Sequence, residues 1–542
     1  MTAPDVFDQA RAWIAQDPDP DTASHLRQLV ERRDRAALER LFAGRLAFGT
    51  AGLRGELGPG PLRMNRVVVM QAARGLANHL LEQEDAPSVV VGFDARHQSR
   101  RFARDTAEVL AGAGVRVTLL PRALPTPVLA FAIRHLGCSA GIMVTASHNP
   151  PRDNGYKVYL ADSSQITAPV DAQIAAHIAA VGPVDTLPRS EAFTVAGDDL
   201  VDAYVAQVVS LVGDRERRDL EVVYTPLHGV GYEVLSQAVA QAGFAPLRVV
   251  AAQAQPDPDF PTVTFPNPEE PGAMDLALAE AEAMDAALVI ANDPDADRCA
   301  VGVRLPSGGY RMLTGDELGA LVADARLRDG VQGTYAASIV SSDLVGRLAA
   351  ARQQPWEQTL TGFKWIGKVP GLAFGYEEAL GYCVAPQIAR DKDGISAALV
   401  VLDLAARLHA QGTNLLRRLE QIYAEHGWHA TGQVALRVSD VAELDALMER
   451  VRATPPRELG GRAVHAIDDL AEGYAGLPPT DGVRLGLSGG ARVIVRPSGT
   501  EPKLKCYLQI VVDWAGTADT TRALAEAELT KLSDDVRALV SA

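Results

Sequence analysis

Basic residues are the minority in this chain: 52 Lys and Arg stand against 68 Asp and Glu, a formal net charge of −16. A surface of that sign disfavours nucleic acid and anionic membranes, so neither is expected as a partner. Cysteine is scarce. Cys138, Cys299, Cys383 and Cys506 lie far apart without CxxC spacing, which argues against a disulfide or zinc framework and leaves small buried residues. No uninterrupted apolar run reaches the length of a membrane span. The first residues, Met1 to Asp5, begin a polar helix-like region without the apolar centre of a signal segment, so a cytoplasmic location is expected. Low-complexity sequence is absent.

What is present is ordinary globular material, 47% hydrophobic and 22% charged over 542 residues. That length exceeds one hydrophobic core and predicts three to five domains. Residues 5–47 show helical periodicity, and a Gly-rich passage follows from Gly49 to Gly60. A strand–helix pattern then occurs three times. Ser88–Asp94 reads as a strand, Phe102–Ala113 as a helix and Val115–Leu120 as a strand; Glu221–Tyr224, Tyr232–Ala242 and Leu247–Val250 repeat that order; Tyr335–Val340 and Leu344–Arg352 begin it again. Alternation of this kind predicts open, mainly parallel sheets covered on both faces. Beyond about residue 430, Val434–Val438, Arg492–Val495 and Leu504–Ile510 alternate as half-buried strands do, and an Ala- and Leu-rich helix closes the chain. The expected fold class is α/β: three related α/β/α domains with mixed, mainly parallel sheets plus a smaller α+β C-terminal domain. The expected boundaries are 1–205, 206–325, 326–430 and 431–542.

Two segments carry the chemistry. Gly141-Ile142-Met143-Val144 is a buried-strand signal, and Thr145-Ala146-Ser147-His148-Asn149-Pro150 follows at its carboxyl end, where open α/β sheets place ligands. Asn149 to Gly155 is turn chemistry, so Ser147 is expected on a shaped loop as a nucleophile, with His148 as proton carrier. Gly-x-Ser-x-Gly is absent here, which excludes a hydrolase elbow. Leu288-Val289-Ile290-Ala291 is a second buried strand and leads into Asp293-Pro294-Asp295-Ala296-Asp297-Arg298. Three carboxylates at alternate positions need a cation, and all-oxygen ligation favours Mg²⁺, with Mn²⁺ or Ca²⁺ as alternatives to it. An EF-hand fails, because Arg298 stands where Gly is required and Arg304 where Glu is required. Gly362 to Lys368 has P-loop spacing, but Val369 supplies no hydroxyl; Gly229-Val230-Gly231 lacks the third Gly of a dinucleotide fingerprint, Val234 standing in its place.

These segments, with Thr50-Ala51-Gly52-Leu53-Arg54-Gly55, Gly375-Tyr376-Glu377-Glu378-Ala379-Leu380-Gly381 and Arg496-Pro497-Ser498-Gly499-Thr500-Glu501-Pro502, occur in an order that resembles the α-D-phosphohexomutases, the phosphoglucomutase and phosphomannomutase group, over nearly the whole length. The resemblance implies that Ser147 is carried as a phosphoserine and that Asp293, Asp295 and Asp297 hold Mg²⁺ with a phosphoserine oxygen. It implies that Glu377 reads sugar hydroxyls. Arg496, Ser498, Gly499 and Thr500 would clamp the phosphate that is not transferred. Arg54, His148, Lys157 and Lys392 would lie near the reacting oxygens, and Arg298 beside the phosphoserine. Chemistry supports the clamp: Gly499 admits an anion close to backbone, Ser498 and Thr500 add donors, and Arg496 can grip phosphate with two prongs.

One departure bears on substrate. Many hexose enzymes of this family carry Ser where Ala379 stands, and the form Glu377-Glu378-Ala379 looks more like the branch containing phosphoglucomutase 2 and phosphopentomutases. The implied activity is interconversion of α-D-glucose 1-phosphate and glucose 6-phosphate by an intramolecular phosphotransferase, with glucose 1,6-bisphosphate as activator and intermediate. The alternatives are a phosphopentomutase acting on ribose 1-phosphate, a phosphomannomutase, a metal-dependent sugar-phosphate phosphatase and a non-catalytic sugar-phosphate sensor. The expected partner is a small sugar phosphate, and the protein is expected to be a monomer or homodimer.

Overall fold

The computed structural model describes residues 5–213, 219–438, 441–497 and 503–541. They form two compact units, one of residues 1–313 with 379–406, the other of residues 314–378 with 407–542.

The first unit holds two sheets. Strands β1 (Leu53–Glu56), β2 (Ser88–Phe93), β3 (Arg116–Leu119), β4 (Ala140–Val144), β5 (Asp153–Leu160) and β6 (Thr194–Val195) are ordered β1-β5-β4-β2-β3-β6. The pairs β4/β2, β2/β3 and β3/β6 are parallel, and β5 runs antiparallel to both β4 and β1. Every residue of β4 is buried, as its apolar run requires. The helix Arg66–Gln83 is capped by Asn65, whose side chain accepts from Val68 N, and is buried along most of its length. Gly75 lets it approach the helix Val170–Ala179, since a Cβ there would fall 2.4 Å from Ile178 Cγ1. Buried Arg66 and Asp105 pair at 2.6 Å, tying that helix to the helix Ser99–Gly112.

The second sheet contains β7 (Val222–Thr225), β8 (Arg248–Val249), β9 (Leu288–Ala291), β10 (Ala300–Arg304) and β11 (Tyr310–Met312), in the order β11-β10-β9-β7-β8. Here β9, β7 and β8 are parallel and β10 turns back antiparallel to β9. Both sheets therefore aim the carboxyl ends of parallel strands at loops, β4 at Thr145–Pro150 and β9 at Asn292–Arg298.

In the second unit β12 (Thr334–Ser338) lies between β13 (Trp356–Thr359) and β14 (Leu372–Glu377), all parallel. Gly381–Cys383 forms β15, in the first unit. An antiparallel sheet follows from β16 (Trp428–Arg437), β17 (Glu458–Leu459), β18 (Arg462–Asp469), β19 (Val483–Leu487), β20 (Ala491–Pro497) and β21 (Lys503–Val512), ordered β16-β21-β20-β19-β18-β17. The helix Ala518–Ser541 ends the described chain. No helix is long and apolar enough to cross a membrane among the described residues.

Element positions follow the periodicities, with shifted ends. The helix expected from Phe102 begins at Ser99, after Gln98 in a left-handed conformation (φ 66°). The turn expected over Asn149–Gly155 stops at Pro150 to Arg152, because Asp153 already opens β5. Gly155 explains the difference: a Cβ there would lie 2.6 Å from Thr145 O, so only glycine lets β5 return so close to the serine loop.

Candidate active site

Ser147 sits three residues past β4 with φ 51°, a strained conformation for a residue with a side chain. The Thr145 hydroxyl accepts from Ser147 N at 2.8 Å and helps hold it. The Ser147 hydroxyl donates to Asp293 Oδ2 at 2.7 Å and lies 3.2 Å from His148 Nδ1. One compact unit thus joins two segments 146 residues apart.

Asp293, Asp295 and Asp297 are fully buried, and one ligand oxygen from each lies within 4.8 Å of the others. Ala296, at φ 53°, makes the curl that turns alternate carboxylates inward. Arg298 N donates to Asp293 Oδ1 at 3.0 Å. Thr126, at the start of the helix Thr126–His135, donates its hydroxyl to Asp295 Oδ2 at 2.6 Å and its N–H to Asp295 O at 2.9 Å. Lys157 on β5 reaches Asp295 Oδ2 at 2.7 Å and Asp297 Oδ2 at 2.9 Å. Lys392 Nζ is 3.3 Å from Asp297 Oδ2 and 3.6 Å from Asp391 Oδ1. Arg298 Nε stands 3.9 Å from Asp293 and 4.0 Å from Asp297. Asp295 Oδ1 and Asp297 Oδ1 remain buried with no hydrogen-bond donor among the described residues. Two orphaned carboxylate oxygens inside a cluster of hard donors suit a hard divalent cation.

Electrostatics separate the three acids. Burial pushes each carboxyl up. Against it, Lys157, Lys392 and Arg298 hold Asp297 below the usual range, and Lys157 with Thr126 does the same for Asp295. Asp293, buried and facing both neighbours, is raised well above it. Burial works against a charged Lys157, but Asp295 and Asp297 outweigh it and keep the ammonium protonated. Burial, then Arg298 and Arg54, push His148 well below its usual value, so its imidazole is neutral at neutral pH. Arg54, on β1, donates to Asn149 Oδ1 at 3.3 Å.

The structure therefore gathers Ser147, His148, Arg54, Lys157, Lys392, Arg298 and the three aspartates in the first unit. Ala379, half-buried, belongs to the same unit. Glu377 and Arg496 belong to the second. Glu377 is buried at the end of β14, and Arg496 pairs with Lys505 across β20 and β21. Neighbouring Glu378 accepts from the hydroxyls of Ser338 at 3.1 Å and Ser341 at 3.0 Å. Burial, with Glu377 and Asp316 nearby, pushes its carboxyl up to about 7. Ser498, Gly499 and Thr500 lie outside the described residues. Sequence reasoning missed Thr126 and also Asp391, which accepts from Tyr159 at 2.8 Å and Gln165 at 2.7 Å beside Lys392. A Ser/Thr-Pro pair opening an apolar helix was the available signal for Thr126.

Comparison with known proteins matches this architecture piece by piece. Residues 45–184, 202–306 and 314–426 match the phosphoglucomutase/phosphomannomutase alpha/beta/alpha domains I, II and III, and residues 434–527 match the C-terminal domain of the same family. The chain belongs to the phosphoglucomutase/phosphomannomutase family. Relatives within it carry different substrate names. A probable phosphomannomutase of Haemophilus influenzae is 49% identical over 85% of this chain and 96% of its own length. A phosphopentomutase of Mus musculus is 35% identical over 93% and 90%. A phosphoglucomutase of Staphylococcus haemolyticus is 35% identical over 88% and 92%. The chain is accordingly a phosphosugar mutase, an intramolecular phosphotransferase of this family.

Proposed function

We propose that this mutase interconverts α-D-glucose 1-phosphate and glucose 6-phosphate through a phosphoserine at residue 147. The observation that carries the reading is the Ser147 hydroxyl held 2.7 Å from Asp293 inside the acidic cluster. In this reading Asp293, Asp295 and Asp297 hold Mg²⁺, which when bound offsets the negative charge of the transferring phosphoryl group. The domains divide at about residues 205, 325 and 430. Glu377 reads sugar hydroxyls, and Arg496, Ser498, Gly499 and Thr500 clamp the phosphate that stays in place.

The phosphorus–oxygen bond to Ser147 breaks as one forms to the substrate's free hydroxyl, giving glucose 1,6-bisphosphate. The departing Ser147 oxygen takes up the proton that the attacking hydroxyl gives up, by way of His148, whose Nδ1 lies 3.2 Å from it. After the sugar turns over, the other phosphate returns to Ser147. The proton of the attacking hydroxyl needs an uncharged acceptor. Half-buried His148, kept neutral by desolvation and by Arg298 and Arg54, meets that need. Lys157 stays charged and serves as a counter-ion instead. Arg54, Lys392 and Arg298 balance the phosphate oxygens.

Intact-protein mass analysis with peptide mapping, after incubation with glucose 1,6-bisphosphate, tests the reading. Label is expected on Ser147, with Ser147→Ala unlabelled and slower by about a thousandfold or more; label elsewhere sinks the mechanism. Steady release of inorganic phosphate without need of a bisphosphate would instead mark a phosphatase. A second substrate reading rests on Ala379, which offers no hydroxyl to a hexose, and on the relative named phosphopentomutase. Turnover of glucose, mannose and ribose 1-phosphates in parallel separates the two; preference for ribose favours the second.

A further inference from the structure

Three residues past β2, and nearly fully buried, Arg96 spends its donors on one loop. Its Nη2 donates to Ser147 O at 2.6 Å and Asn149 O at 2.5 Å. Its Nη1 donates to Pro150 O at 2.8 Å and Asp153 O at 3.2 Å. Its Nε faces Asp94 Oδ2 at 3.5 Å, and the Phe260 ring lies 4.9 Å from the guanidinium carbon. Four hydrogen bonds from the two Nη atoms thus go to carbonyls between residues 147 and 153, while Nε makes only an ion-pair approach to Asp94.

The arginine is itself fixed. Asp94 Oδ1 accepts from Arg96 N at 3.0 Å and from the Ser99 hydroxyl at 2.6 Å. Asn154, at the far end of the loop, donates to His97 O at 2.8 Å and Ser99 Oγ at 3.0 Å. The two loops therefore lock to each other at both ends.

Four carbonyl dipoles turned toward one point repel unless a cation lies among them. The loop that curls them inward also holds Ser147 at φ 51°, with its hydroxyl on Asp293. A residue needed only to fill this space would be apolar. A planar fork that matches four oxygens points to control of backbone shape.

We infer that Arg96 is a positioning residue for phosphoryl transfer, its guanidinium fixing the curl of residues 147–153 so that the Ser147 hydroxyl stays aimed at the aspartate cluster. The inference rests on Ser147 being the phosphoryl carrier. No bond is made or broken at Arg96. Lysine, with three donors and no plane, cannot reproduce the grip, so R96K should leave the charge and lose the shape.

The test compares wild type, R96K and R96Q, each purified as the folded fraction, with Mg²⁺ and glucose 1,6-bisphosphate. Three quantities are read: the rate of Ser147 labelling by mass analysis, kcat against KM, and Tm. Both variants are expected to fold, to label Ser147 about tenfold to a hundredfold more slowly, and to lose kcat in proportion with KM within about twofold. A purely structural role would move Tm and yield, not the labelling rate of the folded fraction. The inference is overturned if folded R96K labels as fast as wild type. It is overturned equally if neither variant folds, since Arg96 would then hold the domain rather than the loop. Absence of label on wild-type Ser147 sinks the phosphoserine reading, and this inference with it.

Discussion

At the scale of single residues, the site depends on partners far apart in sequence. Thr126 grips Asp295 through hydroxyl and backbone N–H, so Thr126→Val keeps the shape and one bond while removing the other. Losing an outer partner of a metal ligand weakens metal binding by about tenfold or more. Titration of Mg²⁺ against activity and by calorimetry should show that loss with little change in Tm. Glu378 gives a pH prediction. Its folded value of about 7 lies above the ordinary 4.5, so folding takes up a proton there. Stability from this group is present below about 4.5 and is lost as pH rises toward 7. Because the side chain is partly exposed, screening reduces the effect to about 2 kcal/mol. Gln keeps an oxygen for Ser338 and Ser341 without titrating. The Tm of E378Q should therefore gain on wild type from pH 5 to pH 8, in steps of about one unit; a constant gap would refute the shift. The serine and the aspartates were legible because each motif is short and follows an apolar strand. Thr126, Asp391 and Arg96 were not, because bonds to distant carboxylates and carbonyls leave no periodic trace.

Among the elements, turns carry much of the constraint. The turn after β7 presses on the acidic loop: Val230 N donates to Pro294 O at 2.9 Å, and a Cβ on Gly229 would lie 2.3 Å from Pro294 Cα. Backbone cannot yield as a side-chain tip can. Gly229→Ala should therefore cost about 1–3 kcal/mol and weaken Mg²⁺ dependence together, as melting and metal titration would show. A variant with normal metal dependence would mean that the acidic loop tolerates the shift. The Gly229-Val230-Gly231 pair, unconvincing as a dinucleotide fingerprint, thus has a packing reason: a Cβ on Gly231 would also fall 2.6 Å from the Tyr224 hydroxyl oxygen. Strands such as β4 and β9 were readable from continuous apolar runs. The start of β5 was not, because Asp153, Asn154 and Gly155 have turn propensity and only pairing with β1 makes them a strand.

For the molecule as a whole, the chain divides into two compact units. The acidic cluster, Ser147 and the lysines all lie in the first unit. A ligand that binds the folded form at about a hundred times its Kd stabilises that form by about 2.7 kcal/mol. Calorimetry with Mg²⁺ should therefore raise the transition of the first unit and leave that of the second unchanged; a shift in both would show that they melt together. Chelation should abolish turnover without unfolding, because Lys157, Lys392 and Arg298 already offset the aspartate charge.

The sequence by itself determined the fold class, the serine loop and the acidic trio, since local patterning specifies strands and short motifs travel intact with them. Only the tertiary structure decided that Ser147 meets Asp293, that Lys157 and Thr126 brace the trio, and that Arg96 gathers four carbonyls of the serine loop. Those contacts join residues tens to more than a hundred positions apart, and their geometry arises from how the loops of the first unit come together in the folded chain, which no local pattern encodes.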